Sequence, residues 1–445
     1  MQYAALRQPA ASDMRCCCGR EECNMQYIDY LTKQPSDKDA IIINGDRYTY
    51  GKLYVLVQDA RARLPQVAEK HLYPIRETGI LKQLVLFLAC AGTNQVPVIV
   101  PVDSKLEVTD PLFDTPVPER AVMAVMTSGT TGMPKILFRS FESWADFFAI
   151  QNAVFGVDED SRLFVQGSLA FTGNLNLYMG QLAAGGTLIA EDVFLPGKWE
   201  QVMARERANG IYLIPSKLLM LPRVFKGVNA NIRTIISGSQ SLGRKDAEVL
   251  KKIFPNTEIT LYYGASELNY ITYVKSADMT EERNLIGKPF PGVRVFIQDD
   301  EMYVDNAFHV ENITVPYSLK DSGRMDLQGN FYFLGRTDDI VGVRGRKVSM
   351  MKIENALEEV AGITEAAVVL LPKEKDADMP AEIVSAFVTV EGTDVPENLR
   401  QQLKEKLADF EIPKRVIVLE AFPKNTSGKV DKARLKKMWI EQEPQ

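Results

Sequence analysis

The sequence predicts an α/β protein with a large N-terminal part on mostly parallel strands, a β-rich stretch after it, and a smaller C-terminal unit. Three observations carry this. Between Leu81 and about Gly287, short β-rich runs alternate with helical stretches, the rhythm of parallel sheets. After Gly287, "GVRVFIQDDEMYVD" and "GNFYFLG" read as antiparallel strands with polar turns. From Asp338 onward, a stretch of roughly a hundred residues has its own apolar alternation, the size of a separate unit.

Taken in order, Ile28 to Leu64 reads as a helix, a hairpin in "AIIINGDRYTY" with Asn-Gly-Asp as its turn, and a second helix. "LVLFLACAGTNQVPVIVPV", Leu84 to Val102, is broken by Asn94, Gln95 and two prolines. It reads as a buried helix and a strand, not as a membrane span. "AVMAVM", "SRLFVQGS", "GTLIAE", "GIYLIPS", "IRTIISG" and "TEITLYYG" are the strands of the parallel part, and "WEQVMARERA" and "GRKDAEVLKKIF" are helices between them. The C-terminal unit has "DIVGVRG", the helix "SMMKIENALEEVA", the strands "AAVVLLP" and "IVSAFVTVE", the helix "ENLRQQLKEKLADF" and the lysine-rich "KVDKARLKK". The expected division is a disordered leader over 1–24, a large domain over 25–337 and a small domain over 338–445.

The 445 residues are 46% hydrophobic and 25% charged, ordinary globular values, and the formal net charge is -6. That balance supplies no basic field for nucleic acid or an anionic membrane. With no continuous apolar segment at the N-terminus, the default compartment is the cytoplasm. Four of the five cysteines crowd into "CCCGREEC" (Cys16 to Cys23), but the only histidines are His71 and His309, far from it. Three adjacent cysteines do not have zinc-site spacing, so the segment is expected to be a leader. Cys90, in an apolar helix, is expected in the core.

The most informative stretch is "MTSGTTGMPK", Met126 to Lys135. Gly129 and Gly132 let the backbone approach a ligand so that its N–H groups converge on an anion. Ser128, Thr130 and Thr131 add short donors, and Lys135 a positive charge. The spacing is not that of the common P-loop. It points to a polyphosphate, a surface turn being the alternative.

"TSGTTGMPK", Thr127 to Lys135, resembles the phosphate-binding signature of adenylate-forming enzymes: acyl- and aryl-CoA synthetases, firefly luciferases and the adenylation domains of peptide synthetases. Five further segments agree. "LYYGASE" resembles the family's Y-G-x-T-E; this implies Tyr263 against adenine, Ser266 near the α-phosphate, Glu267 as the Mg²⁺ ligand and Gly264 beside the acid. "ISGSQSL" resembles a turn, here Gly238 and Ser239, whose backbone lies against adenine. "GSLAFTGNLNLYMGQLAAGGTL" resembles the segment walling the acid pocket, with Phe171, Thr172, Gly173 and Asn174 toward the substrate, although Phe171 reads equally well as core. "LKDSGRMDLQGNFYFLGRTDD" resembles the ribose-binding stretch. Asp321 and Arg336 would bind ribose hydroxyls and Asp338 would be the hinge, but Leu319-Lys320 replaces the usual Thr-Gly before the aspartate. "PKNTSGKVDK" resembles the C-terminal segment whose lysine, here Lys429, reaches the carboxylate and the α-phosphate. With Glu267 and Ser266, Lys429 completes the expected catalytic set.

The resemblance spans about Tyr27 to Lys437 and implies a large N-terminal domain with a β-rich subdomain and a small, mobile α+β C-terminal domain. The implied reaction is activation of a small carboxylic acid by MgATP, then transfer to a thiol past Gly345. That thiol is CoA, or the phosphopantetheine of a separate carrier protein, since no carrier domain follows Lys429 in this sequence. Polar Ser168, Thr172, Asn174, Asn176, Asn269 and Tyr270 suggest a small pocket with hydrogen-bonding demand, favouring an aryl acid (a hydroxybenzoate destined for a siderophore included) or a short polar one. Thr172-Gly173 stands where the peptide-synthetase type has an aspartate for an amino group, which counts against amino acids. Two readings from other classes are a catalytically silent nucleotide-binding protein and a kinase or ATPase releasing ADP.

Overall fold

The computed structural model describes residues 27–102, 104–127, 134–336, 340–343, 346–373, 382–424 and 430–441. Asn44 and Gly45 take left-handed φ values of 53° and 94°, the geometry of a two-residue hairpin turn. They join β1 (Asp39–Ile43) to β2 (Asp46–Thr49) in antiparallel register. β3 (His71–Ile75), β4 (Gln95–Ile99), β5 (Ala121–Thr127) and β6 (Lys135–Ser140) make a separate four-stranded sheet in that order. In it only the last pair is antiparallel. β4 is the strand expected after the apolar helix, which runs Ile80–Ala89. Cys90 caps that helix, 2% exposed, and burial raises its thiol to about 12.

The next five strands are β7 (Arg162–Gln166), β8 (Thr187–Glu191), β9 (Gly210–Tyr212), β10 (Thr234–Gly238) and β11 (Glu258–Ala265). With β1 they form a parallel block in the order β11-β10-β9-β7-β8-β1. β12 (Asn269–Lys275), β13 (Leu285–Pro289), β14 (Arg294–Gln298), β15 (Glu301–Asp305), β16 (Tyr317–Met325) and β17 (Phe331–Arg336) extend the sheet antiparallel beyond β11. The switch from parallel to antiparallel follows the change in sequence rhythm after Gly287, although β12 already turns back before it. Helices cover both faces of the parallel block. Phe147–Phe155 and Thr172–Ala184 bury Phe147 and Tyr178 in one apolar core; Pro196–Arg205 and Arg244–Ile253 bury Trp199 and Leu250 in another.

Beyond Arg336 the strands leave this sheet. β18 (Ile340–Val343) pairs with β19 (Arg346–Ser349); β20 (Ile363–Pro372), β21 (Glu382–Val390) and β22 (Arg415–Val418) form a three-stranded sheet over the helix Met350–Glu358. This small α+β unit has its own core around Ile353, Leu357, Val368 and Leu403. Ser349 Oγ donates to Leu334 O at 2.8 Å, and the Arg283 guanidinium lies 3.9 Å from the Glu358 carboxylate, so the unit touches the large sheet. The helix expected over "ENLRQQLKEKLADF" is shorter, Leu399–Lys404. The Ala408 N–H donates to the Glu411 carboxylate at 2.9 Å instead of continuing a helical ladder. No helix among the described residues is long and apolar enough to cross a membrane.

Candidate active site

In an open parallel sheet, ligands bind outside the C-terminal strand ends where the strand order reverses. Here β8 and β1 lie to one side of β7, while β9, β10 and β11 lie to the other, so the crevice falls between β7 and β9. The loop after β7 enters it and starts the helix Thr172–Ala184, with Phe171 as its N-cap residue. Opposite are the ends of β10 and β11, carrying Gly238-Ser239 and Gly264 to Glu267.

Side chains alternate along β11, and Tyr262 and Tyr263 show it. Tyr263 points toward the antiparallel extension, where its hydroxyl donates to Asp321 Oδ2. Asp321 is buried on β16, and Arg336 Nε lies 3.4 Å from its Oδ1; Asp321 and Arg336 are paired in register. Burial, reinforced by the Asp321 carboxylate, holds the Tyr263 phenol well above its ordinary value. Tyr263 therefore stays a neutral donor to the Asp321 carboxyl group, an arrangement that suits a pair of sugar hydroxyls. Lys320, where the resemblance has glycine, takes φ 63°, so the turn keeps a left-handed residue in spite of the substitution. Its ammonium lies 3.0 Å from Glu301, which holds that side chain away from the site.

Thr172 Oγ1 and Ser266 Oγ lie 2.8 Å apart, joining the start of the helix to the turn after β11. Behind Ser266 is a residue that the motifs did not flag. Arg139, fully buried in β6, donates to Ser266 O at 2.7 Å, Phe308 O at 2.9 Å and Ser143 O at 3.1 Å. Burial lowers its guanidinium to about 10, against the opposing pull of Glu267. A cation directly after the apolar run "ILF" was the available signal. Glu267 O accepts from Val310 N at 2.9 Å, so both backbone sides of the Ser266–Glu267 turn are pinned.

Gly238 ends β10, and a Cβ there would come within 2.4 Å of the Tyr262 ring, so only glycine fits. Ser239 follows at φ 70°, a costly conformation for a serine that turns its backbone out of the sheet. Thr127 and Lys135 face each other in register at the base of the β5–β6 hairpin. The intervening Ser128, Gly129, Thr130, Thr131 and Gly132 lie outside the described residues, as do Asp338, Gly345 and Lys429.

Several residues read as pocket-lining are engaged elsewhere. Asn174 Nδ2 donates to Ser168 O at 2.8 Å, closing the loop before the helix. Asn176 is buried between Trp144 Nε1, which donates to its Oδ1 at 2.5 Å, and Asn269 Oδ1, which its own amide reaches at 2.8 Å. Tyr270 is packed among Phe155, Tyr262 and Phe290. Polar composition alone did not reveal that Asn176 and Asn269 bond to one another.

The donor chemistry suits magnesium held as a nucleotide complex. No group of three or more His, Cys, Asp or Glu among the described residues could cage an ion. A single carboxylate, Glu267, next in sequence to Ser266, is the kind of oxygen ligand that Mg²⁺ accepts when phosphates and water complete its shell.

The family model of AMP-binding enzymes matches residues 84–307, and the model of their C-terminal domain matches residues 352–429. The chain belongs to the AMP-binding enzyme family. This AMP-binding enzyme is of the acid–thiol ligase type. It is 26% identical to an uncharacterized acyl–CoA ligase of Bacillus subtilis, over 83% of this chain and 80% of the relative. A 2-succinylbenzoate–CoA ligase of Listeria monocytogenes is 25% identical over 71% of this chain and 70% of its own length. The solved structure of the o-succinylbenzoate coenzyme A synthetase of Bacillus subtilis, in complex with ATP and a magnesium ion, has the same fold. It matches with a TM-score of 0.77 and 17% identity, covering 93% of this chain and 99% of that one.

Proposed function

We propose that this AMP-binding enzyme activates a small carboxylic acid, aryl or short and polar, with MgATP, and passes the acyl group to the thiol of CoA. The observation that carries the reading is the meeting, around one turn of chain, of the Tyr263–Asp321–Arg336 network with the Thr172–Ser266 hydroxyl pair. The first is suited to a ribose, the second to a carboxylate or phosphate oxygen. A carboxylate oxygen bonds to the α-phosphorus, the bond to the β-phosphate oxygen breaks, and pyrophosphate leaves.

Two anions must meet in that step, so positioned cations and hydroxyl donors lower its barrier. Magnesium, when bound, neutralises phosphate charge. Glu267 would hold it, and the Arg139 clamp on Ser266 O fixes the turn on which both side chains sit. Thr127 to Gly132 and Lys135 cradle the phosphates, Gly238 and Ser239 flank the base, and Lys429 reaches the reacting oxygens. In the second step the small domain turns about Asp338, a thiol passes Gly345, its sulfur attacks the acyl carbon, and AMP leaves.

Product analysis tests this. With ATP, acid and CoA, the expected products are AMP, pyrophosphate and an acyl thioester; ADP and phosphate would refute it. A thioester on a separate carrier protein in place of CoA would change the acceptor alone. Lys429→Ala should lower adenylation by about 10²-fold or more while leaving thioester formation from supplied acyl-adenylate largely intact. Equal loss in both steps would contradict the two-position scheme.

A further inference from the structure

Arg283, just before β13, and Glu358, the last residue of the helix Met350–Glu358, form the only ion pair between the large and small units among the described residues. It is half made. Asp246 holds the Arg283 guanidinium on its own side at 3.2 Å, and Arg283 Nε is buried with no hydrogen-bond partner. That Nε faces Glu358 Oε2 at 3.9 Å, too far for a hydrogen bond. Glu358 is 19% exposed and accepts from Ala366 N of β20 at 3.2 Å. The other charges around the pair are engaged. Glu354 meets Lys432 at 2.7 Å, Glu365 meets Lys424 at 3.0 Å, Lys352 meets Glu411, Glu359 meets Lys406, and Glu282 meets Arg324. Packing beside the pair is loose. Arg283 borders a cavity of about 290 Å³, lined by Asn284, Phe333 and Leu334 on the large side and by Asn355, Ala356 and Leu407 on the small. A contact with such a void loses fewer dispersion contacts on parting than a close-packed one.

We propose that Arg283 and Glu358 are a latch between the units, positioning residues that set how the enzyme divides its time between this orientation and the one serving the other half-reaction. The inference rests on the two-step reading above and deepens it. Neither side chain is bonded to the Tyr263–Asp321–Arg336 network or to the Thr172–Ser266 pair, so both act through the place of the small unit. With the pair unclosed, burial raises the Glu358 carboxyl to about 7, against the pull of Arg283. Turning the small unit away returns that carboxyl to water and to its ordinary value of 4.5. The present orientation therefore holds the proton better. Its advantage is fully present below about 4.5 and is lost as pH rises through about 7. Between pH 6 and 8 the balance should move about tenfold away from it.

Hydrogen–deuterium exchange of the full chain without substrate tests the contact, read on segments 331–336 and 349–358 at pH 6 and pH 8 and corrected for intrinsic rates. The proteins are wild type, Glu358→Gln and Arg283→Gln. At pH 6 wild type and Glu358→Gln should be protected alike. At pH 8 these segments should exchange about fivefold more slowly in Glu358→Gln than in wild type, and faster in Arg283→Gln. The half-reactions supply a readout that a merely structural role would not move. ATP–pyrophosphate exchange with acetate, malonate or benzoate, and thioester formation from the matching acyl-adenylate and CoA, should move in opposite directions in Glu358→Gln at pH 8, by about fivefold in their ratio. Equal protection in all three proteins at both pH values, or half-reactions that fall together, overturns the latch while adenylation stands. A chain that forms no AMP with any of these acids overturns the adenylation reading, and the role of the latch falls with it. Should Arg283→Gln not fold, Glu358→Gln and the wild-type pH profile decide.

Discussion

Tyr262 and Tyr263 are adjacent on one strand and have opposite surroundings. Tyr263 meets a carboxylate and a guanidinium at the rim of the sheet, while Tyr262 meets a phenol and two further rings in a buried core. The two-residue period of a β-strand makes this possible: one backbone segment faces a polar network on one side and a packed aromatic core on the other. On the proposed function, nucleotide affinity, which would depend on the polar network, should then be separable from acid choice.

The largest expected effect bears on the turn between the two sides. Arg139→Met removes three hydrogen bonds to buried carbonyls and should destabilise the protein by about 3–5 kcal/mol in chemical denaturation. Arg139→Lys should recover part of that, and the Mg²⁺ dependence of exchange should weaken in both. Equal stability in all three proteins would remove Arg139 from the account. Next is Asp321→Ala, expected to raise the KM for ATP about 10- to 100-fold while the order of preferred acids stays the same. A changed order would break the separation of the two sides. Tyr263→Phe, which loses one hydroxyl, should cost a few-fold in ATP KM, about 1 kcal/mol, again with acid preference untouched.

The smallest effect lies at the contact between the units. Burial raises Glu358 to about 7, against the pull of Arg283. Its folded-state value lies above the unfolded one, so its contribution is fully present below about 4.5 and is lost as pH rises through about 7. Glu358→Gln should therefore gain on wild type by a few degrees in melting temperature between pH 5 and 8. A difference that stays flat with pH would contradict this titration.

The sequence showed most of this fold for physical reasons. Asn44-Gly45 dictates its hairpin, and each β-branched run became a strand because little else buries such residues on both faces. Motif residues expected to meet a ligand through backbone or charge, such as Gly238, Ser266 and Asp321, were legible because few residue types serve there. What stayed hidden depends on facing partners. Asn176 and Asn269 look like pocket polarity until their mutual bond is seen. The same holds for Arg139, whose three carbonyl partners come from three separate segments.

The most direct test of the central claim is ATP–pyrophosphate exchange in wild type and in Asp321→Ala, each with a small carboxylic acid and no thiol present. The account predicts exchange that requires the acid in wild type, and in the variant exchange that needs far more ATP for the same acid. Exchange independent of any acid, or ADP as the nucleotide product, would contradict it.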